Sequence, residues 1–166
     1  MIALLLNSIN DILKSKLTWL DNAFGQAFRL IDSNGDYPAA HDQRKEYIRL
    51  FPNDILGNYS FFEVSDPIIY ERNAVKFKAS LIFWLNVENV YGPIGADTFI
   101  DTIREDIISA LDNRLYLQAN IHILGIYEQP ESIFRGYSLS QLDTQYLMLP
   151  YHGYRIDLQI NERKVC

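Results

Sequence analysis

Residues 75–87 read V-K-F-K-A-S-L-I-F-W-L-N-V, and Val75, Phe77, Ala79, Leu81, Phe83, Leu85 and Val87 stand at every second position without interruption. A side-chain period of two predicts a strand with one buried face, because successive side chains of extended backbone point to opposite sides. The other face starts polar, with Lys76, Lys78 and Ser80, and turns apolar at Ile82 and Trp84. The second half of this strand therefore needs cover on both sides. At about 3.3 Å per residue the segment reaches about 43 Å, well beyond the usual strand of about 5–6 residues, so it either bends or projects toward a partner. Two coverings fit the second face. A neighbouring subunit would make Ile82, Trp84 and the nearby Tyr91 a subunit interface; a second helix of the same chain, residues 2–14, would close the face from within.

The rest of the chain is of a size to support such a sheet. Its 166 residues fit one domain, 1–166, able to bury a core without metal or disulfide. An aromatic fraction of 13%, with 11 Tyr and 9 Phe, favours sheet and interface surfaces over a helical bundle. The net charge of −6 opposes direct nucleic-acid binding, which draws on clustered Lys and Arg. The single cysteine, Cys166, stands at the end of the sequence, so no internal disulfide is expected and a reducing compartment is the simplest reading.

At the start, Ile2, Leu5, Leu6, Ile9, Ile12 and Leu13 recur at helical spacing, with Asn7, Ser8, Asn10 and Asp11 between them, which predicts an amphipathic helix rather than an export signal. No apolar run approaches the roughly 20 residues needed to cross a bilayer, and the helix lacks the basic face of a membrane-surface binder. Asn34-Gly35 marks the turn of a hairpin over residues 26–41; Asp32, Asn34 and Asp36 miss calcium-loop spacing, since glycine falls at the fourth position and no glutamate at the twelfth. Tyr47, Ile48 and Leu50 predict a short strand ending at Phe51-Pro52, and N-Y-S-F-F-E-V-S-D-P predicts another. After the long strand, G-P-I-G at residues 92–95 reads as a structural turn, then a helix capped near Ala96-Asp97 carries the stripe Phe99, Ile100, Ile103, Ile107 and Leu111. A-N-I-H-I-L-G-I-Y is a further strand. The last places Tyr154, Ile156, Leu158 and Ile160 on one face and Arg155, Asp157, Gln159 and Asn161 on a wet one. Together these predict an α+β domain: a mostly antiparallel sheet of about 4–6 strands with a long central strand, covered by an N-terminal helix and a central helix.

Nothing in the sequence spells a reaction. His41, His122 and His152 sit in separate segments without zinc spacing, no serine has a G-x-S-x-G setting, and Cys166 has nothing to hold it beside a base. Asp97, Asp101 and Glu105 share a helix face and would collect a cation or form a solvated surface. No catalytic, cofactor or metal site is expected. A small enzyme would have to assemble its site from scattered residues such as His41, His122, Asp101 and Tyr154, and a protein-binding adaptor would use an exposed strand edge.

The order of elements resembles siphophage tail-terminator proteins and related tail-completion proteins of the head–tail junction. The phrases that carry the likeness are Y-I-R-L-F-P-N-D-I-L-G-N-Y-S-F-F-E-V at residues 47–64 and M-L-P-Y-H-G-Y-R-I-D-L at residues 148–158, within a similarity spanning roughly residues 20–160. The resemblance implies a non-enzymatic structural protein that forms a homo-oligomeric ring, usually hexameric, on the end of the tail tube. Its partners would be tail-tube and neck proteins. It would reside in the cytoplasm of a bacterial host during assembly and afterwards in the virion. No functional residue transfers individually.

Overall fold

In the computed structural model, which describes residues 2–41, 46–93, 95–112 and 119–163, the expected elements take these bounds. The chain runs through α1 (Ile2–Lys16), β1 (Asn22–Gln26), β2 (Phe28–Asp32), β3 (Gly35–His41), β4 (Tyr47–Arg49), β5 (Tyr59–Glu71) and β6 (Ala74–Asn86). It continues through α2 (Glu88–Tyr91), α3 (Ala96–Leu111), β7 (Ala119–Tyr127), α4 (Pro130–Ile133), two 3-10 turns (Leu139–Gln141 and Thr144–Leu147) and β8 (Tyr151–Arg163). This is an α+β fold. Cys166, and Ile94 of the G-P-I-G turn, lie outside the described residues.

Five strands form the main sheet in the order β1-β5-β6-β8-β7, antiparallel throughout except where β1 runs parallel to β5. The length of β6 has a plain cause: β8 pairs with it from Ala74↔Arg163 to Asn86↔Tyr151, and β5 pairs on its other side from Tyr59↔Trp84 to Glu71↔Ala74. Strand β5 runs past the Asp66-Pro67 expected to end it. Its register with β6 lapses between Ser65 and Ile69, and Pro67, with no N–H to donate, falls within that lapse on a stretch where β5 is the sheet's edge.

One face of this sheet carries the core foreseen from the alternating pattern. Val75, Phe77, Ala79, Leu81, Phe83 and Leu85 of β6 pack with Tyr154, Ile156, Leu158 and Ile160 of β8 beneath Leu6, Ile9 and Leu13 of α1 and Ile103, Ile107 and Leu111 of α3. Asn10, placed among the solvated positions of α1 by spacing alone, is buried; its amide donates to the carbonyls of Ala23 (3.4 Å) and Phe24 (2.9 Å) and so fixes the helix to β1.

The second face corrects the sequence expectation. Both a neighbouring subunit and the helix over residues 2–14 were candidates to cover Ile82 and Trp84, and the chain uses neither. A separate three-stranded antiparallel sheet, β2-β3-β4, and the irregular segment from α4 through the 3-10 turns form a third layer there. Ala40, Leu50, Phe51, Leu56, Ile133, Phe134 and Leu142 close around Tyr59, Phe61, Ile82 and Trp84. The hairpin of β2 and β3 forms as expected, with Asp32 opposite Gly35 and Gly35 at a φ of 115°, which suits glycine.

Candidate functional site

The residues singled out from sequence separate once the two layers are in place. Ile82 is 0% exposed and Trp84 3%, so neither offers a seat to a neighbouring subunit. Tyr91, 38% exposed at the end of α2, stacks on Phe99 with ring centroids 4.3 Å apart and points its hydroxyl at Asp106 Oδ2, 3.4 Å away. Of the three it alone retains surface.

What the fold leaves open lies at the sheet's margins. Among the described residues no strand pairs with the outer side of β7, where Ile123, Leu124 and Tyr127 are exposed. On the opposite side β1 reaches only as far as Gln26↔Phe62, so that among the described residues no strand pairs outward with the distal half of β5, where Ile69 is exposed. Unpaired N–H and C=O groups beside exposed apolar side chains form a template for another strand. Alternation marks a strand but not its place in the sheet, so sequence reasoning had no means of locating these two edges.

Two polar clusters organise the rest of the surface. At one end of the sheet Arg104 of α3 grips Glu128 with two hydrogen bonds of 2.9 Å and Asp101 at 2.7 Å, while His152 Nε2 lies 3.0 Å from Glu128 Oε1. The Tyr154 ring meets His152 edge-on at 4.9 Å, and its hydroxyl donates to the Ile100 carbonyl at 2.6 Å. Burial, reinforced by the charge of Glu128, raises the Tyr154 phenol. The structure thus unites Asp101 and Tyr154 with His152. His41 is instead packed against Tyr47 at the end of β3, and His122 stands exposed on β7. Because Arg104 occupies both Glu128 oxygens, this group acts as a clamp tying α3 to the ends of β7 and β8.

The second cluster contradicts the wet face expected of β8. Arg155, with its side chain 7% exposed, donates to Glu63 Oε2 (3.2 Å), the Ile133 carbonyl (3.1 Å), Ser80 Oγ (3.0 Å) and Asp157 Oδ1 (3.3 Å). Ser80 in turn donates to Asp157 at 2.6 Å. Burial pushes the Glu63 carboxyl up from its usual range, against the opposing pull of Arg155 and Arg29. The network seals the boundary between the apolar third layer and the exposed distal sheet.

Asp97 and Asp101 lie on the exposed side of α3, with Asp101 committed to Arg104. Among the described residues no group of three or more His, Cys, Asp or Glu is placed to hold a metal ion, and no described helix is long and apolar enough to cross a membrane. No family model matches this sequence. No curated protein matches it either.

Proposed function

We propose that this chain is a non-enzymatic structural protein of a phage or prophage, acting at the tail end or head–tail junction by assembling into a ring on the tail tube. The observation that carries the reading is the pair of open, apolar-flanked edges on opposite sides of one sheet, β7 and the distal half of β5. Two different patches on one subunit make a head-to-tail contact, and such a contact closes into a ring when its rotation divides a full turn. The order of elements and the two phrases at residues 47–64 and 148–158 supply the tail context. Tail-tube and neck proteins are the partners this reading implies, with passage from the host cytoplasm into the virion.

A second reading rests on the same β7 edge: an adaptor that adds a partner's extended segment to its sheet. The two part on self-association. Incubated with purified tail tubes, the protein is expected to cap tube ends as rings in electron micrographs, and Ile69→Lys, at an exposed position of β5, to abolish capping while leaving the melting temperature unchanged. Tubes that remain bare at every protein concentration would overturn the assignment.

A further inference from the structure

The clamped network around Arg155 borders a cavity of about 220 Å³ on the exposed part of the sheet, lined by Ser65, Lys78, Ser80, Arg135, Arg155 and Asp157 among others. Three cations and one carboxylate among these residues give it a positive balance, in a chain whose net charge is −6. A local sign opposite to that of the whole molecule concentrates anions from solution.

Not all of that charge is already spent. Arg155 distributes its donors over Glu63, Asp157, Ser80 and the Ile133 carbonyl, and in doing so compensates the one carboxylate in the lining. The Lys78 ammonium, by contrast, makes no hydrogen bond or ion pair with any described residue. Arg135 lies over the Tyr127 ring, 4.9 Å from its centroid, and forms an ion pair with Asp157 Oδ2 at 3.6 Å, without a hydrogen bond. Asp157 is shared with Arg155, so the ion pair takes only part of the Arg135 charge and none of its N–H donors, which suit bidentate recognition of an oxyanion. Lys78 adds a mobile point charge from the facing side, and the Ser65 hydroxyl adds a donor.

We propose that this cavity is a binding site for a single phosphate-sized oxyanion, held between the Arg135 guanidinium and the Lys78 ammonium. Its volume of about 220 Å³ accommodates one phosphate group. The site adjoins the β7 edge, since Leu124 lines it and Tyr127 carries Arg135, but its charged groups all belong to one subunit and need no neighbour to bind.

Calorimetric titration with inorganic phosphate, and separately with phenyl phosphate, against a chloride control at equal ionic strength tests the proposal. Saturable binding of phosphate is expected, weakened about tenfold by either Lys78→Gln or Arg135→Gln, the loss of one charge-assisted contact. Equal binding of both probes would identify the free anion as the ligand; tighter binding of phenyl phosphate would identify a phosphate ester. Both substitutions fall on exposed side chains, and unchanged melting temperatures would show that a lost signal belongs to the site. Absence of saturable binding beyond chloride, or binding equal to wild type in both variants, would overturn it.

Discussion

At the scale of single residues, the close approach of Trp84 to Gly153 decides how the two layers meet. Gly153 is the cross-strand partner of Trp84, and a Cβ built on it would overlap the indole and lie 2.9 Å from Ile133 Cδ1. Gly153→Ala is therefore expected to cost about 1–3 kcal/mol by overpacking, with part of that cost recovered when Trp84 is also shortened to Leu. Denaturant melts of the single and double variants measure this, and an unchanged midpoint in Gly153→Ala would contradict the packing described. Tyrosine makes the other residue-level statement. Burial raises the phenols of Tyr59, Tyr137 and Tyr154, that of Tyr137 to about 12 with help from the charge of Glu63. The unfolded chain releases such protons from about pH 10, so above that value the folded state holds more protons than the unfolded one, and stability falls as pH rises. Below about pH 10 both states keep the protons and the contribution is constant. Thermal midpoints should accordingly stay level up to about pH 9.5 and decline toward about pH 11.5, less steeply in Tyr137→Phe. A flat profile to the alkaline end would refute the shift.

Among the elements, α3 shares with α1 the closing of the core face. Its buried stripe of Ile103, Ile107 and Leu111 lies on the β6 and β8 face, and Leu111 is 3% exposed. Leu111→Asp places a carboxylate in that core at a helix C-terminus, where negative charge is also disfavoured. At a cost of at least about 3 kcal/mol, the melting temperature of a chain this size should drop by about 6–12 °C or more. A circular-dichroism midpoint equal to wild type would contradict it. The same elements show what can be read without coordinates. Alternation in β6 and β8 and the stripes of α1 and α3 declare themselves because each repeats one period over several turns or residues. The third layer does not, because Leu50, Phe51, Leu56, Ile133, Phe134 and Leu142 are single apolar residues in turns and short helices, where no period is long enough to count. Arg155 was assigned to solvent for a related reason. Its partners Glu63 and Ser80 come from strands 92 and 75 positions away in the chain, and no local pattern brings them together. The Glu128–His152 contact was equally invisible, joining the end of β7 to β8.

Taken as a whole molecule, the chain covers one face of its main sheet and the Ile82–Trp84 part of the other, and among the described residues leaves β7 and the distal half of β5 open at the edges. With Ile82 and Trp84 buried, the contact proposed between copies uses Ile123, Leu124 and Tyr127 on one side and Ile69 on the other. Edges of this kind are normally blunted in monomers by charge, proline or a bulge. Strand β7 carries an irregularity between Ile123 and Gly125, and β5 one between Ser65 and Ile69, yet apolar side chains remain exposed beside both. Such edges suit pairing that is specific in register over pairing with any passing strand. The most direct measurement is the mass of the native assembly, by sedimentation velocity over a wide concentration range, for wild type and for Ile123→Lys and Ile69→Lys. The account predicts a closed oligomer of one fixed stoichiometry for wild type and folded monomers for both variants; a wild type that stays monomeric at every concentration, with or without tail tubes, would contradict it.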